Sequence, residues 1–320
     1  MIPEPRKASP SEVPILDLGG METPQGRAEL AAQLRKACLG LGFFYVQNHG
    51  VPKTLNDGIF EATKRFFALP LEERMKIEID PTYRRGYMPQ GITKSRESGK
   101  ADLKESYEIS VDLPEDDPDV VLGRFLHGPN RWPADHPWLQ EAAEPYFDAT
   151  MELAKKLLRI FALSLDLREE AFSEMCTKPM MHMRLLHYPP QQADTDDDAF
   201  GAHPHTDYGM MTILNQDPIG GLELRTRDGE WVAAPHIENT FVVNVGDLFK
   251  MWTNDLYVST PHRVLNRTGR ERFSIPTFLS LDYDTIISCL PSCIGDGAKY
   301  PPIKSGDYLT ERLTGVTTGA

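Results

Sequence analysis

The strongest constraint on the fold lies in the second half of the chain, where the residues beyond Pro179 break into six short runs of β type. They fall at 183–188, 208–215, 221–225, 240–245, 257–264 and 272–280, separated by Gly, Pro, Asp and Asn. Many short strands with frequent turns predict a sandwich or barrel. No internal repeat accompanies them, and the acidic stretch 193–198 reads as a solvated loop.

The first half has a different texture. Residues 13–18 form a brief apolar strand, and Leu30, Leu34, Ala37, Cys38 and Leu41 then recur at helical spacing, in a helix that should stop at Gly40 or Gly42. Residues 43–47 supply an aromatic and β-branched strand, closed by the turn-like Asn48, His49, Gly50, Val51 and Pro52. A second helix runs from Thr54 through Phe60, Phe66 and Phe67 and is stopped by Pro70, and residues 80–102 read as a long loop. Over 138–167, Leu139, Ala142, Phe147, Met151, Ala154, Leu157, Leu158 and Phe161 trace the stripe of a long amphipathic helix. The expected organisation is a mixed helix and strand region, 1–135, packed on a core, 136–320, of long helix and strands, the two forming one compact unit.

Charge narrows the partners. Lys and Arg total 34 against 47 Asp and Glu, a formal charge of -13, and such a surface repels phosphate backbones and anionic lipid. Nucleic acid and membranes are therefore poor partners, and a small molecule is the expected one. Residues 1–11 are polar with no signal-peptide core, nothing later resembles a membrane span, and four scattered cysteines do not make a disulfide framework. A cytoplasmic location is expected. Cys289 and Cys293 lack a second pair at zinc-finger spacing and read as ordinary thiols.

His205 and Asp207 stand two apart at the mouth of a strand, so in extended backbone both point to one face. His262 lies on another strand far along the chain, which an antiparallel double-sheet fold can bring near. Two imidazoles and one carboxylate on one side of a metal leave adjacent positions open, the arrangement used for non-haem Fe(II). Arg272 and Ser274, again two apart, suit a carboxylate: the guanidinium binds it with two parallel bonds and the hydroxyl adds a donor.

The ordered set His205, Thr206, Asp207, then His262, then Arg272, Phe273, Ser274 resembles the isopenicillin N synthase-like branch of the 2-oxoglutarate and Fe(II)-dependent dioxygenases. The likeness extends to Pro14 through Leu18, Gly42 through Phe44, Asn48 through Val51, Arg85 through Tyr87, Leu186 through Pro190, Gly220 through Leu222, and Trp231. Lys104 through Glu108 and Glu238 through Thr240 are similar to microbial members that include thymine hydroxylase.

The resemblance implies a mainly β fold, a double-stranded β-helix or jelly roll flanked by N-terminal helices. It implies His205, Asp207 and His262 as iron ligands, Arg272 and Ser274 as anchors of 2-oxoglutarate, and Tyr188 as a further donor to that co-substrate. The expected reaction couples oxidative decarboxylation of 2-oxoglutarate by O2 to hydroxylation, desaturation or cyclisation of a small organic substrate, with no catalytic side chain beyond the metal centre. By family position, Arg184, Tyr107, Phe278 and Ser280 line the substrate side, with Tyr87 and Met88 from the long loop. If Arg184 faces the cavity, a carboxylate or carbonyl on the substrate is favoured. Leu186 stands where many plant members carry Asn, and His203, one strand repeat before His205, is read as a supporting or surface residue. Three other readings remain: an oxidase of the same fold that does not use 2-oxoglutarate, a binding protein that has lost activity, and a zinc hydrolase.

Overall fold

The computed structural model of the chain describes residues 4–94, 99–191 and 199–317. The acidic stretch 193–198 lies outside the described residues. The N-terminal part runs β1 (Arg6–Lys7), β2 (Ile15–Asp17), α1 (Pro24–Leu39), β3 (Phe43–Gln47), α2 (Lys53–Phe67), α3 (Leu71–Met75), β4 (Gly86–Met88), β5 (Glu105–Ser110), α4 (Pro118–Val121) and α5 (Trp138–Ser164). Strands then dominate: β6 (Pro179–Tyr188), β7 (Ala202–His205), β8 (Met211–Gln216), β9 (Leu222–Arg225), β10 (Trp231–Ala233) and β11 (Phe241–Val245). After α6 (Asp247–Trp252) come β12 (His262–Val264), β13 (Arg272–Asp282), β14 (Ile286–Ile287), β15 (Ile303–Lys304) and α7 (Ser305–Thr317).

Local chemistry explains the early elements. Thr23 caps α1 by accepting from Gly26 N, Pro24 presets the first turn, and Gly40 ends the helix, as its spacing predicts. Leu30, Leu34 and Cys38 of α1 and Ile59, Phe66 and Phe67 of α2 are buried, and both helices pack against α5. This helical layer covers the outer face of a large sheet ordered β2-β3-β11-β8-β13-β6-β5-β4. A smaller sheet, β1-β10-β9-β12-β7, forms the opposite wall. Residues of both sheets line the same interior, and the whole is a double-stranded β-helix with flanking helices. Strands on both sides of the expected boundary at 135 share the large sheet.

Parity decides what each strand offers the interior, because successive side chains alternate between faces. On β6 the inward residues are His182, Arg184, Leu186 and Tyr188; on β13 they are Arg272, Ser274, Pro276, Phe278 and Ser280. The odd-numbered partners Met183, Leu185, Ile275 and Leu279 join the helical core.

Two expected elements differ. Only His262–Val264 of the run 257–264 is strand. Tyr257 instead packs edge-on to Phe249 and donates its hydroxyl to the Ser164 carbonyl, while Pro261 has no N–H to offer a ladder. The loop 80–102 contains β4, which pairs with β5 at Tyr87 and Tyr107. Neither strand shows apolar alternation, since Glu105, Ser106, Glu108 and Ser110 of β5 are all buried polar residues.

Candidate active site

The antiparallel pairing of β7 and β12 sets His205 directly opposite His262, with ring centroids 4.4 Å apart. Asp207 follows β7 in a tight turn, its carbonyl accepting from Asp247 N at 2.7 Å. Gly246 makes that turn fit: a Cβ there would lie 2.2 Å from the Gly209 carbonyl oxygen. Asp207 Oδ1 thereby lies 3.9 Å from His205 Nε2 and 3.7 Å from His262 Nε2.

Each group is oriented by a second partner. His205 Nδ1 pairs with the His203 carbonyl at 2.7 Å and His262 Nδ1 with the Thr260 carbonyl at 3.1 Å. A ring that donates from Nδ1 keeps the lone pair on Nε2, the atom both rings turn toward Asp207. Phe43 meets the His262 ring edge-on at 5.3 Å. Asp207 Oδ2 accepts from Thr212 Oγ1 at 2.5 Å and Asn244 Nδ2 at 2.7 Å, leaving Oδ1 for the gap between the imidazoles.

The electrostatics suit a cation. Burial alone would raise the Asp207 pKa, but the two imidazoles and the bonds from Thr212 and Asn244 outweigh it and hold it below its ordinary value. Desolvation within the cavity wall, then His262, lowers the His205 pKa, so that ring is neutral near pH 7. His205 Nε2, His262 Nε2 and an Asp207 oxygen all lie within 4.8 Å of one another, and no other such cluster occurs among the described residues. Donors so spaced can each reach one ion at roughly 2 Å. His205, 41% exposed, leaves one side of the cluster open to a cavity.

Two connected spaces meet there. The inner one, about 70 Å³, runs from the cluster to Arg272, Ser274 and Tyr188, between apolar walls that include Leu186, Leu214 and Val264. Arg272 is only 1% exposed; its Nη1 donates to Ser274 Oγ at 3.1 Å, its Nε to the Gly220 carbonyl, and its guanidinium lies 4.6 Å from the centre of the Tyr188 ring. The outer space, about 380 Å³, is lined by Arg184, Phe278 and Ser280 of the large sheet, by Arg84 and Lys104, and by Leu309, Arg312 and Leu313 of α7. Arg184, Lys104 and Phe278 border both.

Three expected lining residues are elsewhere. Tyr107 faces the helices, packs 5.0 Å from Phe66 and donates its hydroxyl to the Arg131 carbonyl at 2.5 Å. Tyr87, its cross-strand partner, shares that face and hydrogen-bonds Glu105. Both are odd positions on strands whose other face looks inward. Met88 has the inward parity but is screened by Thr93, whose hydroxyl lies 3.4 Å from its sulfur and which itself lines the outer cavity. His203 stands outside the three-residue cluster, buried, with Nδ1 2.7 Å from Asp102 Oδ1. Sequence reasoning assigned no role to Asn244, Thr212, Lys104 or Arg84; Lys104 opens the run 104–108 already singled out by its resemblance, and the other three sit in no pattern that sets them apart from ordinary strand or loop polarity.

Comparison with known proteins agrees with this geometry. The model of the 2OG-Fe(II) oxygenase superfamily matches residues 179–281, and that of the non-haem dioxygenase in morphine synthesis N-terminal region matches 13–135. The 2-oxoglutarate-Fe(II) type oxidoreductase hxnY of Emericella nidulans is 40% identical over 314 residues, covering 94% of this chain and 89% of that protein. Homoarginine-6-hydroxylase of Glycine max is 36% identical, covering 88% of each. The crystal structure of the full-length thymine hydroxylase of Neurospora crassa with alpha-KG superposes with a TM-score of 0.86 at 29% identity, over 97% of this chain and 99% of that one. With both halves matched, and relatives named for the same co-substrate and metal aligned end to end, the chain belongs to the 2OG-Fe(II) oxygenases, enzymes that use iron, 2-oxoglutarate and O2.

Proposed function

We propose that His205, Asp207 and His262 hold Fe(II), that Arg272, Ser274 and Tyr188 anchor the distal carboxylate of 2-oxoglutarate, and that the outer cavity receives a small organic molecule for hydroxylation. The observation that supports this most is the joining of the two polar ends by one narrow, largely apolar space. The donor set fits the metal: two imidazoles with Nδ1 already engaged, one carboxylate with a free oxygen, and an open side. Iron held there, with 2-oxoglutarate and O2, supplies the oxidising power for a C–H bond, which no side chain possesses.

The chain's own residues do the rest. Arg272 presents a buried, preorganised fork, its Nε already engaged by Gly220, so a carboxylate arriving at its remaining donors is oriented without reordering the side chain. Leu186, Leu214 and Val264 keep water from the passage between anchor and metal. Arg184, Phe278 and Ser280 border the space in which substrate would lie. The relatives, a homoarginine hydroxylase and the Neurospora protein crystallised with thymine, pair this scaffold with unlike small molecules, so the substrate is read from this cavity rather than carried over. No helix among the described residues is long and apolar enough to cross a membrane; with all four cysteines free, we place the protein in the cytoplasm.

The test is Fe(II)-dependent release of carbon dioxide from 2-oxoglutarate, with succinate counted in parallel. The wild-type chain should produce both in equal amounts, and His205→Ala and Asp207→Ala should lose them. Undiminished release by either variant overturns the ligand assignment, and no release by the wild type with iron overturns the role of 2-oxoglutarate.

A further inference from the structure

The outer cavity carries charge of the wrong sign for so acidic a protein. The chain as a whole is at -13, yet six Lys or Arg side chains line this space against two carboxylates, Asp102 and Asp207. Several of those cations are already matched: Lys104 pairs with Asp102 at 2.8 Å, and Arg312 lies 3.5 Å from Asp247. The floor is built differently. Arg184 Nε lies 3.0 Å and Arg84 Nη2 3.4 Å from the same oxygen of Glu108, so two guanidiniums share one carboxylate.

This trio is built in. Glu108 is only 1% exposed and Arg84 is buried as well. Arg84 holds φ at +55°, a strained conformation for a residue with a side chain. Among the described residues, Arg84 Nε, Arg184 Nε and His182 Nδ1 are buried without a hydrogen-bond partner, as is Glu108 Oε2, an acceptor that a carboxylate does not serve. Such orphaned groups are costly and mark places where a ligand completes the bonding. His182 adds no charge: burial, then Arg184, push its pKa down to about 3. Its ring stacks on Phe278 at 4.7 Å, and the Arg184 guanidinium lies 5.1 Å from the same ring centre, so the clamp has an apolar flank.

Resting on the oxygenase reading of the site, we propose that the substrate is a monocarboxylate whose anionic group is seated by Arg84 and Arg184 above Glu108, with its apolar body against Phe278. The charge count selects the class. Arg85, behind the trio, also has Asp112 and Asp80 to offset it, so the cavity-lining pair, Arg84 and Arg184, less Glu108 leaves a single positive charge, which a monoanion neutralises and a phosphate dianion overshoots. Arg84 and Arg184 are then specificity-determining residues, and Glu108 positions them through a hydrogen bond from Arg84 and an ion pair with Arg184.

The experiment uses the protein loaded with Mn(II) and 2-oxoglutarate, which blocks turnover, and titrates it calorimetrically with matched acids and amides: benzoate and benzamide, phenylacetate and phenylacetamide, cyclohexanecarboxylate and its amide. At least one acid should bind about tenfold to a hundredfold more tightly than its amide, the range expected for hydrogen bonds to a charged group. The triple variant R84Q/E108Q/R184Q removes the charges of the clamp together and leaves Arg85 with Asp112 and Asp80, and in it that preference should vanish while amide binding stays. Amides binding as well as acids, no acid binding, a preference that survives the triple variant, or inorganic phosphate outcompeting every acid would each overturn the proposal. If 2-oxoglutarate itself fails to load, the oxygenase reading falls, and the acid and amide comparison on the unloaded chain still decides the clamp.

Discussion

Asn244 on β11 donates from Nδ2 to Asp207 Oδ2 at 2.7 Å, fixing the carboxylate from the side opposite the two imidazoles. Asn244 is buried and touches neither His205 nor His262 through any hydrogen bond, so its effect on a metal runs through Asp207 alone. Partners that orient a ligand in this way typically contribute about 10–100-fold in metal affinity. Asn244→Ala should therefore weaken Mn(II) or Fe(II) binding by about one to two orders of magnitude, with Thr212→Val additive to a lesser degree. A metal titration followed by calorimetry decides it. Unchanged affinity in the Asn244 variant would mean that the turn at Gly246 positions Asp207 unaided.

Arg272 makes a separable prediction. Its guanidinium is buried with Ser274 Oγ and the Gly220 carbonyl, far along the inner space from the imidazoles. Arg272→Gln should raise the KM for 2-oxoglutarate by about thirtyfold or more, since truncating one partner of a buried charged pair costs about 2–5 kcal/mol. Metal affinity should stay within about threefold, because the change lies outside the ligand set. Arg272→Lys should recover only part, as an ammonium lacks the two-pronged geometry. Steady-state kinetics in 2-oxoglutarate, with metal binding measured in parallel, separates an anchor from a residue needed only for folding.

The fold is legible in the sequence where period and punctuation agree, and the metal cluster where spacing does. Phe43–Gln47 and the long helix at Trp138–Ser164 emerge where their patterns put them. His205 and Asp207, two apart, and the distant His262 do converge. What the pattern does not reveal is which face of β4 and β5 looks inward. Both faces of β5 are buried, so its polar residues carry no outward mark, and placing Tyr107 rather than Glu108 at the cavity is an error of one residue in parity. That single step separates the helical core from the cavity floor. Arg84, Asn244 and Thr212 are invisible for a related reason: each acts by reaching a partner on another element, Glu108 or Asp207, and no local pattern encodes the meeting.

Acid stability should carry the signature of the buried cavity floor. Burial first, then Arg184, lower His182 to about 3 from an unfolded value near 6.5. Between those limits the unfolded chain binds a proton that the folded chain refuses, so stability is full above about pH 6.5 and falls as pH drops toward 3. Glu108 works in the same direction over a lower window. Its burial opposes ionisation, but Arg184 and Arg84 prevail and bring it to about 2 from 4.5, so its contribution is present above about 4.5 and lost below. His182→Gln should flatten the stability profile between pH 6.5 and 4.5 by up to about 1.4 kcal/mol per pH unit, one proton's worth. Urea unfolding of wild type and variant across that range reads the difference directly. Parallel profiles would show that His182 titrates normally in the fold.

The proposed co-substrate anchor also rests against a residue with no side chain. Gly201, just before β7, lies against Tyr188, and a Cβ there would sit 2.6 Å from Tyr188 Cδ1 and 3.3 Å from Val264 Cγ1. The Tyr188 ring cannot retreat without losing its place under Arg272, whose guanidinium lies 4.6 Å from the ring centre. Gly201→Ala should therefore act in two ways. Overpacking should cost about 1–3 kcal/mol of stability, and the displaced ring should loosen Arg272 enough to raise the KM for 2-oxoglutarate without weakening metal binding. Tyr188→Leu provides the control, because a smaller side chain relieves the clash. In the double variant with Gly201→Ala the stability loss should shrink, while the KM stays high for want of the ring. Thermal unfolding with kinetics in 2-oxoglutarate tests both. If Gly201→Ala lowers stability but leaves the KM untouched, Tyr188 packs beside the anchor without supporting it, and Arg272 with Ser274 holds the co-substrate alone.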